Sequence, residues 1–114
     1  MPFDNTPIET KPLTEVQRVL LGAADLIEAE GWFKCGKQPY FEHGKHDRCA
    51  IVAIGEAAWR IDVGTKFEVW RTLARLIAPE YPYDPPAGIV EWNNSPNRTK
   101  EEVVAALRAA AREA

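Results

Sequence analysis

An all-α fold follows from three features of this 114-residue chain. Apolar residues recur three and four positions apart in several segments, the spacing that gathers one face of a helix. Three segments open on Thr with Gln or Glu three residues later: Thr14/Gln17, Thr65/Glu68 and Thr99/Glu102. That is the capping-box spacing, in which each side chain satisfies the other residue's backbone N–H. Finally, 46% hydrophobic and 27% charged residues are the values of an ordinary globular domain, not of a collagen-like, coiled-coil or disordered chain. The expected architecture is a small orthogonal bundle of four to five helices. Residues 1–12 form an extended arm, 13–114 a single helical domain, and 32–47 an irregular loop with room for a short β-hairpin.

Each element has its own signal. Pro2, Pro7 and Pro12 remove backbone donors and restrict their predecessors, which makes the arm extended. The first helix is expected over Leu13–Glu30, with Val16, Leu20, Ala23, Ala24 and Ile27 on one face and Gly31 as a left-handed stop. Gly36, Pro39 and Gly44 keep the following segment irregular. A second helix is expected from Arg48 to Ile61, capped by Asp47, with Ile51, Ile54, Ala58 and Ile61 facing inward. The turn Asp62-Val63-Gly64 leads to a third helix starting at Thr65, whose inward residues are Phe67, Trp70, Leu73, Ala74 and Ile77. Pro79 ends it. Pro79, Pro82 and Pro85 recur every third residue, the period of a polyproline II connector. Gly88 to Asn93 is read as one short helical turn with Ile89 and Trp92 facing the core. The last helix runs from its cap Thr99 through Val103, Val104, Leu107 and Ala111 to the chain end.

Charge narrows the partners. The net charge of −3 and a pI near 5.4 argue against nucleic acid. Lys34, Lys37, Lys45 and Arg48 gather in one stretch, where Glu42 and Asp47 partly offset them, as on a solvated loop. No apolar run reaches the ~18–20 residues of a membrane span. The helices carry mixed charges, unlike a membrane-surface helix. Met1-Pro2-Phe3-Asp4-Asn5 lacks the basic and apolar regions of a signal peptide, so a cytoplasmic setting is expected.

One constellation carries chemistry. Both cysteines and both histidines fall in a single stretch as Cys35, His43, His46 and Cys49. Two thiolates and two imidazoles are a tetrahedral zinc set, although C-x7-H-x2-H-x2-C lacks the usual tight Cys knuckle. Unligated thiols, with Cys49 a small buried hydrophobe, are the other reading, and a Cys35–Cys49 disulfide a third. A Cys nucleophile beside a His base is a further alternative, but no oxyanion-hole loop is recognisable. Outside the cluster, Tyr81 and Tyr83 on the proline-rich strip are candidate binding residues. So is Arg98, which gains nothing from the dipole of the helix it precedes and so serves either a carboxylate of this chain or an external anion. Trp92 reads as a core anchor, and Asn93 or Asn94 as satisfying the carbonyls that end the short turn.

An ordered set of these residues bears a family likeness. Gly31-Trp32 after an Ala/Leu-rich helix, Cys49-Ala50 opening the next, then Trp92-Asn93-Asn94 and Arg98-Thr99-Lys100-Glu101-Glu102-Val103 resemble a family of small bacterial and phage proteins known only as a domain of unknown function. The likeness runs from Val16 to Ala110. This chain departs from the family pattern at Asn94, where Asp is common, and at Val52-Ala53-Ile54, where Gly-Ala-Leu is common. The two histidines are not part of it. The resemblance implies a small helical fold and a bacterial or mobile-element setting, and it implies no activity.

The expectation is therefore a non-enzymatic module that binds another protein through the 34–48 loop, Tyr81 and Tyr83, with no cofactor. A zinc-stabilised domain is the alternative, and a thiol-dependent enzyme the third reading. Four tryptophans in so small a domain also leave room for a homodimer interface, with nothing to select which one would serve it.

Overall fold

A computed structural model describes residues 12–33 and 49–114. The arm at 1–11 and most of the expected loop and hairpin, at 34–48, lie outside the described residues. Among the described residues, five helices make a small all-α bundle: α1 (Glu15–Glu30), α2 (Ala50–Ala57), α3 (Val63–Ile77), α4 (Pro85–Asn93) and α5 (Lys100–Glu113). The helix α1 packs most extensively against α5 and also against α2 and α3, while α4 lies against α3 and α2. Leu20, Ile27, Ile54, Leu73, Ile89 and Leu107 are fully buried between them. Val19, Val69, Val103 and Val104 join them, and small residues, among them Ala23, Ala24, Ala50, Ala53, Ala74 and Ala110, allow close helix approach.

Two of the three expected capping boxes are present. Gln17 N–H donates to Thr14 Oγ1 at 3.1 Å and Thr14 N–H to Gln17 Oε1 at 2.9 Å. Gln17 also donates from Nε2 to the Ala111 carbonyl at 3.1 Å, so one side chain starts α1 and ties it to the end of α5. Thr99 and Glu102 repeat the box at 3.0 and 3.1 Å. Gly31 has the expected positive φ of 117°, but its ψ of 167° sends the chain away extended. That region is open only to glycine.

The third box is replaced. Asp62, not Thr65, caps α3, and its carboxylate accepts from both Thr65 N–H at 2.9 Å and the Thr65 hydroxyl at 2.7 Å. A charged acceptor three residues ahead of Thr65 outcompetes the neutral hydroxyl, and it also complements the helix dipole. Glu68 then pairs with Arg71 at 3.0 Å and Arg75 at 3.8 Å.

Two further boundaries differ from the expectation. Cys49 occupies the N-cap position of α2, without a side-chain cap hydrogen bond, and the helix stops at Ala57 rather than Ile61. There Ile61 N–H bonds to the Ala58 carbonyl at 2.9 Å, and Arg60 adopts a left-handed φ of 74°. The expected polyproline II connector is replaced by a turn, closed by Tyr81 N–H donating to the Ala78 carbonyl at 3.0 Å, and Pro85 already belongs to α4. Asp84 caps α4 by accepting from Ala87 N–H at 3.2 Å, and Pro85 and Pro86 occupy its first turn. Proline suits that place because its fixed φ is helical and its missing N–H would have had no partner. The expected turn at 88–93 is therefore a full helix.

Gly88 lets α4 sit down on the end of α3. A Cβ there would come within 2.9 Å of Ala78 Cβ, Tyr81 Cβ and Tyr81 Cγ. Gly88→Ala should therefore cost about 1–3 kcal/mol, by overpacking against backbone-anchored atoms. Gly55, exposed on α2 with nothing within 4 Å of its would-be Cβ, is the control. Gly55→Ala should stabilise by about 0.5–1 kcal/mol. Urea unfolding of both variants reads the opposite signs.

Candidate functional site

The residues of the Trp-Asn-Asn and Arg-Thr segments converge on one place, where they hold the fold together. Asn93 follows Ile89 by one helical turn, and both are fully buried. Its Oδ1 accepts from Trp32 Nε1 at 2.7 Å and from Ala50 N–H at 3.2 Å. Its Nδ2 donates to the Phe33 carbonyl at 3.3 Å and to Asn94 Oδ1 at 3.1 Å. One carboxamide thus satisfies the first N–H of α2, the chain leaving α1, and the indole of Trp32. Of the two residues expected to serve the carbonyls ending this helix, Asn94 does so through its backbone N–H, which donates to the Val90 carbonyl at 3.0 Å, whereas the Asn93 side chain reaches across the bundle.

Arg98 is engaged internally. Its guanidinium lies 3.8 Å above the Trp92 ring, and Nε donates to the Trp92 carbonyl at 2.9 Å. Nη1 stands 3.4 Å from Glu102 Oε1, the carboxylate that also closes the α5 capping box. The positive charge that the α5 dipole does not favour is held by a π face, a carbonyl and a carboxylate together. Trp92 is partly buried, packed against the core and covered on its ring by the Arg98 guanidinium.

The other sequence-derived candidates fall elsewhere. Cys35, His43 and His46 lie outside the described residues, and Cys49 is buried at the head of α2. Among the described residues no three His, Cys, Asp or Glu side chains converge as a metal would require. Tyr81 donates its hydroxyl to Glu91 on α4, and this hydrogen bond holds the phenol above its ordinary pKa. Both line an open groove of about 680 Å³ with Ile51, Val90 and Pro96. Tyr83 is 97% exposed in the connector before α4. On the far side of the bundle, Arg108 of α5 joins Asp25 at 3.1 Å and Glu28 at 2.8 Å on α1. Hydrogen bonding to Arg108 holds the Glu28 carboxyl below its ordinary value.

The feature that the sequence did not single out is the α2–α3 corner. Trp59 is 73% and Val63 78% exposed. Phe67, one turn beyond Val63 on α3, is partly exposed, with its ring edge-on to Trp70 at 6.4 Å and Arg71 4.8 Å above it. The other three tryptophans are partly buried: Trp32 bonds to Asn93, Trp92 stacks under Arg98 and Trp70 meets Phe67. A signal was present, since Val52, Glu56 and Trp59 follow one another at helical spacing opposite the Ile51/Ile54/Ala58 face.

A family model for a family of unknown function, DUF6197, matches residues 11–113. The chain belongs to that family. No curated protein and no solved structure matches it. No helix among the described residues is long and apolar enough to cross a membrane.

Asn93→Ala strands the buried Ala50 N–H and the partly buried Trp32 Nε1, and should cost about 1–3 kcal/mol in urea unfolding. Indole fluorescence should report the release of Trp32. The Glu28 shift sets a pH dependence. A carboxyl depressed in the folded state contributes stability above its unfolded value of 4.5 and loses it as pH falls through the folded value. The urea midpoint should therefore fall below pH 4.5, and less steeply in Arg108→Gln.

Proposed function

We propose that this domain is a non-enzymatic module that binds another protein, and that the α2–α3 corner is its contact surface. The carrying observation is the pair Trp59 and Val63, both more than 70% exposed at the junction of two helices. An indole in water forgoes a burial worth about 1.5–3 kcal/mol for a large apolar side chain. Tryptophan is also the residue type most enriched among those that dominate binding energy at interfaces. The turn that presents it carries Arg60 at a positive φ of 74°, a conformation uncommon for any residue but glycine. The exposed indole adds nothing to the core, and the left-handed arginine that follows the end of α2 shapes the same corner.

An enzymatic reading finds less support. The polar groups that converge in the described structure, around Asn93 and Arg98, are occupied by one another and by backbone.

The test is affinity co-purification of the tagged full chain from its own host, in parallel with Trp59→Ser and Val63→Ser. Both variants should keep the wild-type melting temperature to within a few degrees, since exposed sites away from special features change stability by only about 0.5 kcal/mol. The expected result is a partner retained by the wild-type chain and lost from both variants. An identical set of retained proteins from all three chains would remove the corner from the interface.

A further inference from the structure

We infer that the α2–α3 corner takes an acidic amphipathic helix of its partner, an inference that rests on the protein-binding reading above. Three observations select this occupant. The first is charge. Between Trp59 and Arg75 the chain places four cations (Arg60, Lys66, Arg71, Arg75) against two carboxylates (Asp62, Glu68), in a molecule whose net charge is −3. Both carboxylates are already used: Asp62 caps α3 through Thr65, and Glu68 pairs with Arg71 and Arg75. Glu56, on the adjoining face of α2, is itself engaged. Arg60 and Lys66 have no carboxylate within ion-pair distance among the described residues. The apolar corner is therefore flanked by positive charge that no carboxylate among the described residues answers, and a partner with acidic flanks answers it.

The second observation is size. Trp59, Val63 and the exposed part of Phe67 offer roughly 350 Å² of apolar side chain, less than half the ~800 Å² per partner of a standard protein–protein interface. That suits a single segment better than a second globular face. The third is spacing. Val63 and Phe67 stand one helical turn apart, with Lys66 between them on the same side of α3. Such a ridge matches apolar residues at i, i+3 and i+4 of an opposing helix.

A second copy of this chain fits worse. A two-fold axis through so small a patch would bring Arg60 and Lys66 close to the same cations of the other copy, a like-charge juxtaposition that costs affinity.

The test uses the full chain. A phage-displayed random peptide library is selected on it and counter-selected on Trp59→Ser, with thermal melting to confirm that the variant is folded. The expected winners carry apolar residues at i, i+3 or i+4 flanked by Asp and Glu. A synthetic peptide of the winning sequence should bind more weakly as salt is raised. It should also lose at least about tenfold in affinity to Lys66→Glu and to Arg60→Asp, a residue that tolerates the left-handed backbone. Winners that are neutral or basic, or no enrichment that depends on Trp59, would overturn the inference. So would Trp59-dependent binding to phosphatidylserine vesicles in place of peptide, or a dimer by light scattering that Trp59→Ser abolishes. If both corner variants lose the host partner but the selected peptides are not acidic, the module reading stands and only this inference falls. If nothing depends on Trp59 in either experiment, both fall.

Discussion

The bundle depends on one buried carboxamide. Helices α2 and α4 and the segment leaving α1 meet where a backbone carbonyl, a helix start and an indole N–H all need partners, and Asn93 supplies them. The residue is 0% exposed, and its Oδ1 and Nδ2 each serve two groups. A buried polar group is costly when unpaired and specifies a single arrangement when fully paired. Apolar packing around Leu20, Ile54 and Ile89 holds the helices together, whereas Asn93 fixes where α1 ends and α2 begins relative to α4.

The same logic joins the Trp-Asn and Arg-Thr-Lys-Glu-Glu-Val segments. Trp92 is covered by Arg98, Arg98 is held by Glu102, and Glu102 closes the cap on Thr99. Each residue satisfies the next, from the end of α4 to the first turn of α5. A pattern that resembles a site in the sequence is here the joint between two helices. The surface that looks outward, at Trp59 and Val63, lies in a different part of the chain.

Much of the fold was legible where a signal was local. The boxes at Thr14/Gln17 and Thr99/Glu102 form as their spacing requires, and the inward faces of α1 and α5 follow helical period, whereas on α3 Leu73 and Ala74 face inward as expected but Val69 is buried in place of Phe67. Legibility failed where two local signals competed. Asp62 took the cap from Thr65, and Pro85-Pro86 fitted a helix start as well as a polyproline strip. The inward period of Ile51, Ile54, Ala58 and Ile61 ran past the real end of α2, because backbone geometry at Arg60, not side-chain pattern, ends it. Asn93 was half visible. Its place one turn after Ile89 puts a polar residue on an apolar face, which marks it as buried, but its partners at Trp32, Phe33 and Ala50 are distant in sequence. The zinc ligand set remains an expectation of the sequence, because three of its four residues lie outside the described structure.

Asn93 also clamps the chain on both sides of residues 34–48, by holding the Phe33 carbonyl and the Ala50 N–H with one side chain. The distance between the two anchors is then set by the bundle. A change at position 93 therefore reaches both anchors at once, and the segment leaving α1 and the start of α2 are released as a pair.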